Sequence, residues 1–284
     1  MRAKYTIDLP NREPLELGER TLIVGVVNVT PDSFSDGGEF LDPSRAIERA
    51  IQMEAEGADI IEIGGESTRP GAAKVDAVTE LGRILPVVEG LFGKLKAPIS
   101  VDTYKASVAE AVLANGASII NDVSALRFDS GLAGVVGTAK AGLVLMHMRG
   151  DPSSMQKLPP SPDIMGEIES DLRLAIDRAI ASGVDPRLII IDPGIGFGKT
   201  LEQNLEIINR VARFSTAFGL PVMIGTSRKS SIGRLTGREK QNRMFGTAAS
   251  VAIAIVRGAH MVRVHDVREM ADVVRVADAL ARAE

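Results

Sequence analysis

The chain has 284 residues, 45% of them hydrophobic, and its 33 basic and 37 acidic side chains leave a net charge of -4 with no basic stripe, which argues against nucleic acid as a partner. That length suits one α/β barrel, which runs to roughly 250 residues. The absence of Cys excludes disulfides, thiolate metal sites and a Cys nucleophile, and with His only at 147, 260 and 265 any metal should be a hard, oxygen-bound cation such as Mg²⁺.

Residues 1–20 contain no apolar h-region, and no segment approaches the roughly 20 apolar residues that span a bilayer, so a cytoplasmic protein with no membrane partner is expected. The chain then repeats one pattern of apolar run, polar loop and amphipathic helix. A strand at 22–27 ends at Asn28 and opens a loop, 30–40, rich in Pro, Ser and Gly, after which Asp42 and Pro43 supply an N-cap and an N1 proline. The first helix should turn Ala46, Ile47, Ala50 and Ile51 inward and end at Gly57. A strand at 60–63 leads into GGESTRPGAAKV, and a helix over about 76–94 precedes a strand at 98–101 that ends at Asp102. Helix 105–114 follows, then a strand at 117–120 ending in Asn121-Asp122, and one at 143–146 ending at His147. A helix from about Asp163 should bury Ile168, Leu172, Ala175, Ile176 and Ala179 and stop at Gly183.

The stretch LIIIDPGIGFGK, residues 188–199, is the clearest in the chain. Four apolar residues, three of them β-branched, give a strand buried on both faces. Asp192 closes it, and Pro193, Gly194, Gly196 and Gly198 let the backbone turn tightly against a ligand. Alone, Asp192 could equally cap a turn. Thr200 and Gln203 spell a capping box for a helix with Leu205, Ile208 and Val211 inward. A strand at 221–224 precedes GTSRKSSIG, and a short strand at 260–264 carries Arg263. Asp266-x-x-Glu269 then starts a helix whose inward positions are Val267, Met270, Val274 and Ala277.

Eight such alternations, without a charge shift or long linker, predict a single (β/α)8 TIM barrel over residues 1–284, with a doubly wound sheet as the other architecture. In a barrel the carboxyl ends of the strands share one active site, so Asn28, Asp102, Asn121, His147, Asp192 and Arg263 should converge. Weaker motifs fall away. PGIGFGKT has Pro where a phosphate-binding loop needs its first Gly, GIGFG is one residue short of the dinucleotide fingerprint, and neither HExxH nor GxSxG occurs. The glycosylation sequon at Asn28 is discounted without a secretory signal.

GVVNVTPDSFSDGG (25–38), GGESTRPGA (64–72), SVDT (100–103), INDVS (120–124), MHM (146–148), DPGIGFGK (192–199), SRKSSIG (227–233) and RVHDV (263–267) fall in order on successive strand ends. With these motifs, and without departure at any of them, the chain resembles the dihydropteroate synthase family over nearly its whole length. The resemblance implies condensation of 6-hydroxymethyl-7,8-dihydropterin diphosphate with 4-aminobenzoate, releasing diphosphate, by a Mg²⁺-dependent homodimeric enzyme that sulfonamides inhibit. It also implies a pterin site from Asp102, Asn121, Met146, Asp192, Phe197 and Lys229, and a 4-aminobenzoate site from Phe34, Thr68, Pro70, Ser227 and Lys229. The diphosphate would meet Asn28, Thr68, Arg69, Arg263 and His265, with Asn28 as the Mg²⁺ ligand, and the catalytic set would be Asp102, Asp192, Lys229, Arg263 and His265.

The residue chemistry agrees with that reading. A carboxylate can accept bidentately from the two-donor edge of a pterin, and the helix start after the last strand attracts anions. A neutral aromatic amine is a poor nucleophile, so a dissociative mechanism is expected, with loops 30–41 and 67–75 as lids that exclude water. Two rivals share the barrel: a pterin-dependent methyltransferase, against which SRK and RVH count, and a non-catalytic pterin-binding paralogue. Val251, Ile253 and Ile255 are candidate dimer positions.

Overall fold

The computed structural model describes residues 2–10, 12–30, 42–68 and 71–283. Eight parallel strands form the barrel: β3 (Leu22–Asn28), β4 (Ile60–Gly64), β5 (Ile99–Asp102), β6 (Ala117–Asp122), β7 (Gly142–Met146), β8 (Ile189–Asp192), β9 (Met223–Ile224) and β10 (Met261–Val264). Neighbours in sequence pair in parallel from β3 to β8, β10 pairs with both β9 and β3, and a bridge between Ile191 and Val222 joins β8 to the β9 segment. The (β/α)8 expectation therefore holds, and the doubly wound sheet is excluded. Strands whose apolar runs have no polar face can only be covered on both sides, and here helices supply the outer cover.

The helices among the described residues are α1 (Pro43–Glu56), α2 (Ala77–Leu91), α3 (Ala106–Ala114), α4 (Leu132–Ala139), α5 (Ile164–Ala181), α6 (Leu201–Asn209), α7 (Val211–Phe218), α8 (Ser230–Thr236), α9 (Met244–Val256) and α10 (Val267–Arg282). Expected starts are realised at α1, where Asp42 caps Ser44 N–H ahead of Pro43, at α5, where Asp163 accepts from Gly166 N–H, and at α6, whose Thr200–Gln203 capping box is complete. The four inward positions of α10 are all buried.

Several inward positions differ from expectation. On α1 the buried set is Ala46, Ala50 and Met53, leaving Ile51 exposed, because the longer Met reaches the strand layer one turn later on the same stripe. On α6, Leu205 is exposed while Asn204 and Ile207 face in. The polar Asn204 earns that place by bonding backbone: its Oδ1 accepts Gly196 N–H at 2.7 Å and its Nδ2 donates to Thr200 O at 2.7 Å. Val251 and Ile255 are buried against the barrel, so of the three candidate dimer positions only Ile253 is exposed. Asp266 makes no side-chain cap to α10 and pairs with Arg228 instead.

Helix α8 lacks a sequence expectation, and so do two further elements. Helix α4 is short and rich in Gly and Ala, so its periodicity is weak. The other is an antiparallel hairpin, β1 (Tyr5–Ile7) and β2 (Leu15–Leu17). Ile7, Leu9, Leu15 and Leu17 of this segment join Leu22, Val24, Ile60, Ile119, Val144, Ile190, Met223 and Met261 in one apolar cluster that closes the amino end of the barrel.

Candidate active site

Strand side chains alternate between two environments. Ile61, Ile63, Val101, Ile120, Leu145, Ile191 and Val262 pack outward against helices, while Val24, Ile60, Ile119, Val144, Ile190 and Met261 fill the barrel interior. Two residues further along, on that same inward face, the chemistry changes: Ile60 is followed by Glu62, Ile119 by Asn121, Ile190 by Asp192 and Met261 by Arg263. The pleat that stacks an apolar floor thus delivers a ring of polar groups at the carboxyl ends. Above them lies a cavity of about 480 Å³, lined among others by Asn28, Glu62, Thr68, Asp102, Phe197, Ser227, Lys229, Arg263 and His265.

Arg263 is the centre of this ring. Its guanidinium lies 3.3 Å from Asp192 Oδ2 and 3.7 Å from Glu62 Oε1, and 3.9 Å from the Met146 sulfur. Asp192 Oδ1 accepts Gly194 N–H at 2.7 Å, and Asn121 Nδ2 donates to Asp102 Oδ1 at 3.3 Å. Polar capacity is left over: Asp192 Oδ2 has the ion pair but no aligned hydrogen bond, and Asn121 Oδ1 has no partner. Burial, then the neighbouring Glu62 carboxylate, pushes the Asp102 pKa well above its ordinary range, and burial raises that of Glu62 despite Arg263. Lys229 lies 4.2 Å above the Phe197 ring, and burial followed by Arg263 pulls its pKa down to about 8.

The chain of loop 193–199 is shaped for close approach. Gly194 has φ of +69° and its added Cβ would stand 1.9 Å from His147 O, so no side chain fits there. Lys199, buried beneath, donates to the carbonyls of His147, Gly194 and Phe197 at 2.9 to 3.2 Å, which uses all three ammonium hydrogens even though burial brings its pKa down to about 7.

Residues 24–265 match the family model of pterin binding enzymes. The chain is 45% identical to the dihydropteroate synthase of Synechocystis sp. over 266 residues, covering 93% of this chain and 92% of that one. The chain belongs to the dihydropteroate synthase family. It superposes on the Xanthomonas albilineans dihydropteroate synthase solved with 4-aminobenzoic acid with a TM-score of 0.90 at 42% identity, covering 98% of both chains, and on the Yersinia pestis dihydropteroate synthase in a sulfonamide drug complex with 0.91 at 38%, covering 98% of this chain and all of that one. The activity is that of a dihydropteroate synthase, a transferase.

Against the site expected for a dihydropteroate synthase, Asn28, Thr68, Asp102, Phe197, Ser227, Lys229, Arg263 and His265 line the cavity, while Asn121, Met146 and Asp192 are buried beside it. Phe34, Arg69 and Pro70 lie outside the described residues. His265 is fixed by Ser227: the hydroxyl accepts its backbone N–H at 3.3 Å and lies 3.0 Å from Nδ1. Burial, then Arg228, lowers the His265 pKa to about 4, so this ring is neutral at pH 7. His147 faces Asp171, with Nε2 3.3 Å from Oδ2, and His260 sits at the opposite end of the barrel.

Glu62, Lys199 and Arg228 carry no sequence expectation. Glu62 had a signal, since it is the one charge in the strand IIEIG. Lys199 had none, because its partners are carbonyls that no side-chain pattern encodes. Arg228 holds φ of +58°, a region that disfavours side chains, and is tied there by two bonds to the Asp266 carboxylate.

Proposed function

We propose that the pterin edge, with its ring N–H and amino donors, lies against Asp192 Oδ2 and Asn121 Oδ1. The observation that carries this is the burial of both atoms without a hydrogen bond, since a buried acceptor left unsatisfied is costly and a ligand donor removes the cost. Asp102 faces the other side of the ring, Lys229 donates to the pterin oxygen and N5, and Met146 and Phe197 form the apolar walls. The diphosphate meets Arg263, His265, Thr68 and Arg69. The 4-aminobenzoate set is Phe34, Thr68, Pro70, Ser227 and Lys229, with Ser227 and Lys229 toward its carboxylate.

The reaction is dissociative. The bond between the pterin methylene carbon and the diphosphate oxygen breaks first, and its electron pair leaves with the diphosphate toward Arg263 and His265. Asp102 and Asp192 stabilise the cation spread over the pterin. The aniline nitrogen then closes the new bond and releases a proton, while loops 30–41 and 67–75 keep water away. Mg²⁺ fits the donor set: Asn28 and Asp102 offer hard oxygens beside Gly64, where an added Cβ would lie 3.6 Å from Asn28 Oδ1 and 3.9 Å from Asp102 Oδ2. When bound, the ion would offset leaving-group charge, with Asn28 as its protein ligand.

This reading extends to a cytoplasmic homodimer joined through α8 and α9, where Leu235, Phe245, Ile253 and Val256 are exposed, and to competition between sulfonamides and 4-aminobenzoate. The test is diphosphate release on mixing the pterin diphosphate, 4-aminobenzoate and Mg²⁺. Release with dihydropteroate formation is expected, whereas binding of the pterin without turnover would identify a pterin-binding paralogue.

A further inference from the structure

One buried ion cluster beside the pocket has no part in the chemistry above. Lys105, at the start of α3, donates to both Glu66 and Glu80. Glu66 leaves the end of β4, and its Oε1 accepts Val75 N–H at 3.3 Å and the Tyr104 hydroxyl at 3.2 Å. Val75 immediately precedes Asp76, the cap of α2. One carboxylate therefore ties together the two arms of the loop between β4 and α2, residues 66–68 and 71–75. Glu80 is fully buried, and its remaining oxygen has no partner.

Other contacts extend the same framework. Arg83 donates to Gly65 O at 2.8 Å, Gly71 N–H donates to Pro152 O at 3.2 Å, and Lys74 sits 5.6 Å above the Phe128 ring, which packs edge-on against Tyr104. Burial works against the Lys105 ammonium, but the two carboxylates outweigh it and raise its pKa. The charge is thus held at all ordinary pH values, and it joins the Glu66 carboxylate to the start of α3 and, through Glu80, to α2.

We infer that Glu66, held by Lys105 and Glu80, is a positioning residue that sets the arm carrying Thr68 for 4-aminobenzoate and diphosphate, without contributing to binding of the pterin ring. This rests on the site assignment proposed above. Thr68 lies two residues from Glu66 and lines the cavity, whereas the pterin residues Asn121 and Asp192 close β6 and β8, strands that the clamp does not join.

Two variants test this. Glu66→Gln keeps the side-chain volume while removing the charge that Lys105 holds, and Lys105→Met with Glu80→Leu removes the lysine without leaving Glu80 charged and unpaired. In each, KM for 4-aminobenzoate should rise about ten-fold, calorimetric Kd for 6-hydroxymethyl-7,8-dihydropterin, which lacks the diphosphate, should stay within about two-fold of the parent, and trypsin should cut after Lys74 several-fold faster. If the double variant does not fold, Glu66→Gln decides alone. Unchanged KM for 4-aminobenzoate in folded Glu66→Gln, or an equal loss of affinity for the diphosphate-free pterin, would overturn the inference. Failure of the site assignment looks different: the parent enzyme itself would bind 4-aminobenzoate without regard to Thr68→Ala.

Discussion

The two ends of this barrel each contain a buried Arg–Asp pair, and the pairs are finished differently. At the amino end Asp278 accepts from Arg2, from Thr21 N–H at 2.7 Å and from Thr21 Oγ1 at 2.8 Å, so its oxygens are saturated by the chain itself. His260 is satisfied there too, with Nδ1 accepting Val222 N–H at 3.2 Å and Nε2 donating to Ala3 O at 3.1 Å. At the carboxyl end Arg263 is shared between Asp192 and Glu62, Asp102 is held above its ordinary pKa, and two acceptors have no hydrogen bond. One end is built for stability. The other keeps polar capacity for a ligand, at a cost that the apolar floor and hairpin below it offset.

The comparison can be broken most forcefully at the amino end. Asp278→Asn should leave Arg2 without its charge partner and destabilise the fold by about 3 kcal/mol or more, as breaking a buried pair does, with kcat and both KM values unchanged in the folded fraction. Urea unfolding with parallel steady-state kinetics measures both. At the carboxyl end Asp192→Asn should instead cost about 1.5–3 kcal/mol of pterin diphosphate binding, the range for a hydrogen bond to a charged group. Calorimetry giving equal affinity in a folded variant would remove Asp192 from the pterin site.

The smallest effect sharpens the contrast through pH. Burial lowers the His260 pKa to about 4, below its ordinary value near 6.5 in the unfolded chain. Between those values the unfolded chain binds a proton that the fold does not, so the stability His260 contributes is present above about pH 6.5 and is lost as pH falls toward 4. His260→Asn should therefore cost about 1 kcal/mol at pH 7.5, and the difference from the parent should shrink at pH 5. A penalty that grows on acidification would contradict the neutral, doubly bonded His260.

Much of this was legible in the sequence, for reasons that differ by residue. The run Ile189–Asp192 has no helical reading, and eight such runs between capped helices leave few architectures open. The ends of those runs named Asp102, Asn121, Asp192 and Arg263 because a polar residue at the end of a short apolar strand is visible as a change of chemistry. What stayed hidden depends on contacts across the fold. The hairpin 5–17 reads as an unremarkable polar segment until its four apolar residues are set over the barrel floor. Leu205 and Asn204 exchange places because the carbonyls and amides of loop 196–200 claim the amide side chain, and Glu66 meets Lys105 only where two strand–helix units come together.

The most direct test of the difference between the two ends is thermal unfolding of Asp102→Asn at pH 7 with and without pterin diphosphate. A carboxyl whose pKa is raised in the fold contributes stability at low pH that is lost as pH rises through the raised value, so raising the pH toward 7 costs the parent stability that the uncharged Asn keeps. The free variant should melt above the parent, by about 0.5–2 kcal/mol in stability, while losing most of the upward shift in Tm that saturating pterin diphosphate gives the parent. A variant that melts below the parent, or that keeps the full ligand shift, would contradict the view that this end of the barrel holds its charges for the pterin.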